Sequence, residues 1–271
     1  MLAGSLKHVP NLSELNLSSN RMGEKGVKAL AGSLDSTPAL SKLDVRRNDI
    51  TSDAAIVMAE SFRHVPKLSE LHFEANNIGD AGARALAESL VNLRNLVVFD
   101  VGVNHIGTDG VIAIAEGLRH VPGLSVLNLG NNGMRDEGAQ ALARNLYHVP
   151  RLSELDVHSS NIQGNGFTAL MESVGNLRYV FFLHVSDNYI GAAGAKALAE
   201  NLHRIKHLAK LDVEYTNMGA VGVLAVLRSL RNMSNLCKVR LGEGSSGEGI
   251  HDARAALLTR FPDMILTGYR E

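Results

Sequence analysis

One ruler runs the length of the chain. Pro10, Pro38, Pro66, Pro122, Pro150 and Pro262 stand at multiples of 28 residues from one another. The residues that open each strand-like segment keep the same spacing: Leu12, Leu40, Leu68, Leu96, Leu124, Leu152, Val180, Leu208, Leu236 and Met264. A fixed period with almost no insertions specifies one supersecondary unit stacked about nine times, each copy needing its neighbours to cover its apolar face. A length of 271 residues would otherwise suggest two globular domains, but a repeat array is quasi-one-dimensional. The expected organisation is a single repeat domain over 1–271, with a partial repeat at 1–11, eight regular repeats over 12–235, and an irregular repeat and cap over 236–271.

The stretch from Leu68 to Asn95 shows what one unit contains. Leu71 and Phe73 alternate with polar residues, the period of a short strand with one face buried. Ala83, Leu86, Ala87 and Leu90 follow as an i, i+3, i+4, i+7 stripe, the mark of an amphipathic helix. The stripe recurs as Val27/Leu30/Ala31/Leu34, Val111/Ile114/Ala115/Leu118, Ala139/Leu142/Ala143/Leu146 and Ala195/Leu198/Ala199/Leu202. Gly79 and Gly82 are expected where the chain turns from strand to helix, and the prolines are expected to stop each helix before the next strand.

This LxxLxLxxNxIGxxGxxxLAxxL pattern resembles the leucine-rich repeat family in its long, ribonuclease-inhibitor-like subtype, over nearly the whole chain. The resemblance implies an α/β fold: a leucine-rich-repeat solenoid in the form of a right-handed horseshoe, with a parallel β-sheet on the concave face and α-helices on the convex face. It also implies a ladder of Asn20, Asn48, Asn76, Asn104, Asn132 and Asn188, whose amides satisfy the backbone of adjacent turns. A tight loop inside a stack needs such partners. Ser160, Thr216 and Gly244 replace the asparagine, so the ladder is expected to weaken toward the C-terminal half.

The two ends depart from the unit. The first eleven residues match only the end of a repeat, which suggests a fragment of a longer chain or a missing cap. Near the other end His251 and Arg254 occupy core phases, while Ile250, Ala253 and Leu257 form a stripe shifted one residue earlier. A locally shortened loop and a terminal cap account for that shift; a flexible functional loop at Gly242–Gly249 is the alternative.

Charge and composition narrow the function. Lys+Arg number 27 and Asp+Glu 28, so nothing pulls the chain globally toward nucleic acid or an anionic membrane. No segment approaches the roughly 18 consecutive apolar residues of a membrane span, and the opening MLAGSLKHVPN shows no signal-peptide pattern. One cysteine, Cys237, suits a reducing compartment, so a cytoplasmic location is expected. The sequence contains no G-x-S-x-G elbow, P-loop or H-E-x-x-H signature. The expected role is therefore non-enzymatic, without cofactor or metal, and monomeric: a protein-interaction scaffold that binds a protein partner across the concave sheet, possessing neither a nucleic-acid nor a membrane surface. The resemblance also implies sensing or regulation within a larger protein. The competing expectation is a GTPase-activating protein similar to the Ran regulator, although this chain ends in TGYRE without an acidic tail and matches no catalytic loop residue.

The outward strand positions carry the candidate site. Along the stack they read Asn16, Asp44, His72, Asp100, Asn128, Asp156, His184, Asp212 and Arg240, with aspartate recurring every 56 residues. Adjacent carboxylates on neighbouring strands, about 4.8 Å apart, would repel by roughly 1 kcal/mol even in water. Alternation removes that repulsion, so the row is expected to be a solvated polar ladder. Asp44–His72–Asp100 and Asp156–His184–Asp212 each flank a histidine with carboxylates, which should favour its charged form. With His158 and Glu214 nearby, the second set offers a basic partner group, or more remotely a divalent metal, a place to bind. Lys42, Arg46 and Arg47 make a basic spot beside Glu70 and Glu74; Val98, Gly102, Val103, Val126 and Gly130 make a mildly apolar floor; Phe182, Tyr215 and Tyr189 add aromatics, and Asp187, Glu214 and Glu243 negative charge. The predicted protein-binding residues are Arg46, Arg47, Glu74, Val103, Asn131, His158, Phe182, His184, Asp187, Asp212, Glu214 and Tyr215. His8, His64, His120 and His148 in the HVP turns are expected to be structural.

Overall fold

Short strands and longer helices alternate along the chain, in a computed structural model that describes residues 2–231, 233–241, 249–262 and 265–267. The chain divides into two compact units, Met1–Gly133 and Met134–Glu271. Unit 1 contains strands β1 (Glu14–Asn16), β2 (Lys42–Asp44), β3 (Glu70–His72), β4 (Val98–Asp100) and β5 (Val126–Asn128). They pair in parallel and in chain order, each position meeting the residue 28 further on: Leu15↔Leu43, Leu43↔Leu71, Leu71↔Phe99, Phe99↔Leu127. Its helices are α1 (Leu2–Ser5), α2 (Gly23–Ala31), α3 (Ser52–Ser61), α4 (Gly79–Ser89) and α5 (Thr108–Gly117).

Unit 2 repeats the plan with strands β6 (Glu154–Asp156), β7 (Phe182–His184), β8 (Lys210–Asp212), β9 (Lys238–Arg240) and β10 (Ile265–Thr267). Its helices are α6 (Arg135–Asn145), α7 (Gly164–Val174), α8 (Gly191–Asn201), α9 (Gly219–Leu230) and α10 (Ile250–Arg260). The strands are again parallel and in order. Ile265 pairs with Lys238, one residue short of the usual spacing, and Ile250, Ala253 and Leu257 are the buried residues of α10. The stripe shifted by one residue is thus the register of a shortened terminal repeat. His251 is exposed, and Met264, Glu243, Gly244 and positions 242–248 lie outside the described residues.

In each unit the middle residues of strands β1–β9 and the apolar helix stripe are buried together, leaving the other face of the sheet open. Leu43, Phe99, Leu127, Leu155 and Leu183 are fully inaccessible, as are Val27, Leu86, Ile114, Leu142 and Leu198. At roughly 1.5–3 kcal/mol for each large side chain, this shared layer drives the stacking of the repeats. Ala199 departs from the expected stripe and is only half-buried.

Two local expectations need correction. Helices α1, α2, α3, α5 and α6 do not run straight to their prolines: a three-residue 3-10 turn such as Leu34–Ser36, Phe62–His64 or Leu146–His148 intervenes and takes in the last stripe leucine or phenylalanine. Tightening to i→i+3 bonds supplies acceptors for the last N–H groups before the chain leaves the helix, as in Val65 N–H to the Phe62 carbonyl at 3.1 Å. Gly82 is not a turn residue. It lies inside α4, where a Cβ would come within 3.0 Å of the Ala55 Cβ on α3, so its smallness serves helix–helix approach. Gly79, at φ +54°, does make the turn into the helix.

The asparagine ladder is present and directional. Asn76 is representative: its amide donates to the carbonyls of Val45 and Phe73 at 3.1 and 2.7 Å, and its Oδ1 accepts from the N–H groups of Asn48 and Ile50 at 2.9 and 3.0 Å. Each asparagine therefore closes the loop of the repeat before its own. Ser160 and Thr216 offer only a hydroxyl, bonded to the His158 and Val213 carbonyls at 3.0 and 2.7 Å, which is the expected weakening. The residue just before each ladder position adopts left-handed backbone: Ser19, Arg47, Ala75, Val103, Asn131, Ser159, Asp187 and Tyr215 have φ between 49° and 62°. For β-branched Val103, at φ 56°, that conformation is a genuine steric exception.

Candidate functional site

The aspartates and asparagines at the strand ends have a structural duty that sequence reading missed. In unit 1, the Asp44, Asp100 and Asn128 side chains accept from the N–H two residues on, at 3.1, 3.2 and 2.9 Å. In unit 2, Asp156 and Asp212 do the same toward His158 and Glu214, at 3.0 and 3.2 Å. This closes the bend after the strand as an Asx turn. The row is accordingly not a solvated ladder. Asp44, Asp100 and Asp212 are buried, because the neighbouring side chains on the open face fold over them.

In unit 1 the expected basic spot divides. Arg46 grips Asp44 through Nε and Nη2 at 3.0 and 2.6 Å, and reaches Glu74 at 3.7 Å. Burial works against the charge on Asp44, but the Arg46 bonds outweigh it and hold the carboxyl below its ordinary range. Lys42 pairs with Glu70 at 2.7 Å. Arg47 points away on its left-handed residue, exposed and in no ion pair among the described residues. His72 sits between Glu70 and Asp100, at 3.4 and 3.8 Å, and not between Asp44 and Asp100, since Arg46 occupies Asp44. Asp100 and then Glu70 push its imidazole above the ordinary value against the opposing effect of burial. Val98 and Val126 lie half-buried on the open face; Val103 and Asn131 sit in the loops beyond the strands, Val103 half-buried and Asn131 exposed.

Unit 2 gathers its predicted residues more tightly. On β7, Phe182 and His184 face the same way with ring centroids 5.7 Å apart. His158 stacks on His184 at 4.5 Å with an interplanar angle of 12°. Both Nδ1 atoms address one carboxylate: His158 meets Asp156 Oδ1 at 2.7 Å and His184 meets Oδ2 at 3.0 Å. A carboxylate can only accept, so both nitrogens carry the hydrogen. The far nitrogen of His184 faces Ser186 Oγ at 2.8 Å and Asp212 Oδ2 at 3.4 Å. Arg240 closes the row, bonding Asp212 at 2.9 Å and also Glu214. Burial, helped by the nearby Asp212 and Asp187, pushes the Glu214 carboxyl up despite Arg240.

Asp156, His158 and His184 are the set of potential metal-ligand atoms that converges among the described residues, within 4.8 Å of one another. The stacking makes it an awkward ligand set: an ion between the two Nδ1 atoms would lie far outside both ring planes. The arrangement is better suited to two N–H donors sharing one carboxylate. Burial opposes ionisation of Asp156, but the bonds from His158 and His184 outweigh it and hold its carboxyl far below the usual carboxylate range. Hydrogen bonding to Asp156 in turn raises His158.

The sign of the pH dependence follows. The Asp156 contribution is complete above its ordinary value of 3.8 and vanishes as pH falls through the lowered folded value; that of His158 is complete below its ordinary 6.5 and vanishes as pH rises through the raised one. The pair stabilises the fold most between about pH 4 and 6.5. Asp156→Asn is therefore expected to cost on the order of 1 kcal/mol more at pH 5.5 than at pH 8.5, measured by urea unfolding. An equal loss at both would show that the charge on His158 plays no part.

Beyond the strands of unit 2 a cavity of about 550 Å³ opens among the loops, lined by Ser159, Asn161, Asp187, Tyr189, Tyr215 and Met218 among others. Asp187, Tyr189 and Tyr215 were legible from sequence as negative charge and aromatics on this face; the loop residues Ser159, Asn161 and Met218 gave no signal. Tyr189 and Tyr215 are 64% and 62% exposed, so both rings are accessible to a partner.

Stretches 8–31, 64–87, 92–115, 124–143 and 181–199 match the family model described as Leucine Rich repeat. A leucine-rich-repeat protein of Leptospira interrogans has a similar structure, with a TM-score of 0.59 at 15% identity, covering 97% of this chain and 74% of that one. The tropomodulin C-terminal domain of Caenorhabditis elegans aligns with a TM-score of 0.46 at 15% identity, covering 55% of this chain and 89% of that one. The actin-binding site 2 of leiomodin-1 aligns with a TM-score of 0.44 at 18% identity, covering 54% and 87%. No curated protein sequence matches the chain. No helix among the described residues is long and apolar enough to cross a membrane.

Proposed function

For a chain built of leucine-rich repeats, we propose recognition of a protein partner, with the open sheet face of unit 2 and its adjoining loops as the contact surface. Leucine-rich repeats generally serve protein–protein interaction. The observation that carries the assignment to unit 2 is the cavity beside Tyr189, Tyr215 and Asp187, next to the column of Phe182, His184 and His158. Exposed aromatics beside a carboxylate suit a basic side chain of the partner, which would gain a charge-assisted bond to Asp187 and a cation–π contact with a tyrosine. The hydrogen-bonded strand-end row holds the floor of this surface rigid, so little ordering cost is left at binding. In unit 1, Arg47, Val103 and Asn131 remain proposed contacts in the loops, whereas Arg46 and Glu74 act there through their ion pair. Full helices in a 28-residue spacing support the long, ribonuclease-inhibitor-like subtype, and the lone, exposed Cys237 supports a cytoplasmic setting.

The test is affinity capture from the native cell with the wild-type chain and with a Phe182→Ala, Asp187→Lys, Tyr215→Ala triple variant. These side chains are half-buried or exposed, so the fold should persist. The captured partner should bind the variant about tenfold or more weakly. Equal capture would sink the assignment.

A further inference from the structure

On the edge of unit 2 from which the chain enters its strands, one segment carries unusually large side chains. A 3-10 turn follows α6 at Leu146–His148 and α8 at Leu202–Arg204, but none is formed between α7 and β7, nor, among the described residues, between α9 and β9. Arg178 stands 28 residues after Pro150, at a phase that proline leaves elsewhere too, to Arg94, Lys206 and Ser234. Tyr179 follows it, and Phe181 occupies a position held by serine at Ser13, Ser41, Ser69, Ser125 and Ser153. This segment presents its large side chains outward. Tyr147, Tyr179 and Phe181 are 70%, 54% and 41% exposed.

Between the two tyrosines lies a cavity of about 460 Å³, whose walls include Pro150, Arg151, Leu177 and Arg178. Basic groups surround the aromatics. His207 stacks over Tyr179 with centroids 6.4 Å apart, and Lys210 Nζ lies 5.4 Å from the Phe181 ring centroid. Arg204 is spent as glue, bonding Asn176 and Asn201. Arg151, Arg178 and Lys210 form no ion pair among the described residues, and the nearby acids Glu154 on β6 and Glu172 on α7 form none with them.

We propose that this edge binds an acidic, extended segment of a partner protein, its carboxylates on Arg151 and Arg178 and an apolar side chain in the cavity between Tyr147 and Tyr179. Charge complementarity selects the occupant. A basic segment would be repelled, and a purely apolar one would strip water from two arginines without replacing it. Aromatics with arginine also compose the energetic centre of many protein interfaces. The site is separate from the open-face surface, and its fate does not depend on that reading.

The experiment measures fluorescence anisotropy of a labelled glutamate-rich peptide carrying one leucine, its lysine-rich counterpart, and poly(U) RNA. Binding is compared for the wild-type full chain, Arg151→Glu with Arg178→Glu, Tyr147→Ser with Tyr179→Ser, and Lys25→Glu on α2 of unit 1 as a charge control. All five residues are exposed, and circular dichroism confirms that each variant is folded. The wild type should prefer the acidic peptide, each paired variant should weaken it about tenfold or more, and Lys25→Glu should leave it unchanged. The proposal is overturned if the lysine peptide binds equally, or if Lys25→Glu weakens binding as much as the paired reversal does. Poly(U) binding more tightly than the acidic peptide with the same sensitivity to the paired variants would overturn it in favour of a nucleic-acid surface.

Discussion

Replacing Asn188 with alanine is expected to destabilise the chain by about 3–5 kcal/mol, read by urea or thermal unfolding. The side chain is fully inaccessible. Its amide donates to the carbonyls of Val157, Val185 and Ser186 at 2.9, 3.0 and 3.1 Å, and its Oδ1 accepts from Ser160 and Ile162 N–H at 3.1 and 3.0 Å. Alanine deletes every one of these bonds and admits no water in return. Each orphaned backbone group costs about 1–3 kcal/mol, partly relieved where the three carbonyls had shared two hydrogens. Aspartate should be no better, since it keeps the acceptor but turns a carboxylate oxygen toward three carbonyls. Ser160→Ala supplies the scale: it removes one hydroxyl bond, to the His158 carbonyl, and should cost about 1 kcal/mol. If Asn188→Ala were no worse than Ser160→Ala, the ladder would be a by-product of the fold and not a support for it.

Phe99→Ala is the second large loss, about 3–5 kcal/mol in the same assay. Phe99 is the middle residue of β4, fully inaccessible, and held in register between Leu71 and Leu127. Every other strand of unit 1 has leucine at that place. The neighbours are pinned by parallel pairing on both sides, so they cannot collapse into the void that alanine leaves. Phe99→Leu restores the residue used by the flanking strands and should cost under about 1.5 kcal/mol. The gap between the two substitutions isolates the cavity. Equal losses would mean that the ring itself, and not the volume it fills, matters at this position.

The strands, helices and buried stripes were readable because a 28-residue period makes each repeat a check on the others. What the period could not reveal was the use made of a polar side chain once its facing was known. Asp44 and Asp212 looked like solvated charges; each is bent back onto the N–H two residues on and covered by an arginine. Arg46 and Arg47 are adjacent and identical in chemistry, yet one is locked to Asp44 while the other, on left-handed backbone, is exposed and in no ion pair among the described residues. That conformation leaves no glycine signature: arginine, alanine, valine, asparagine, aspartate and tyrosine all occupy it. The column of His158, His184 and Phe182 was half legible. Alternation places the residues on one face, but only the folded geometry shows both imidazoles sharing Asp156. The aromatic edge at Tyr147 and Tyr179 gave little signal, since Arg178 at the proline phase has counterparts in Arg94, Lys206 and Ser234.

The asparagine ladder gives each unit a one-way grain. Asn48 accepts from the Asn20 and Met22 N–H groups of the preceding loop, and Asn76 from those of Asn48 and Ile50. A repeat that frays at the C-terminal side of such a run takes away the acceptor that shut its predecessor's loop. The predecessor is left open and ready to fray in turn. Loss at the N-terminal side breaks the same inter-repeat bonds but strips a side chain and not the N–H groups of a surviving loop: Asn48 would give up the Leu17 carbonyl and both donors to its Oδ1, and keep the Val45 and Arg46 carbonyls in its own loop. Unzipping should therefore travel more readily toward the N-terminus than away from it, so a stack with no polarity in its repeat spacing acquires one in how it comes apart.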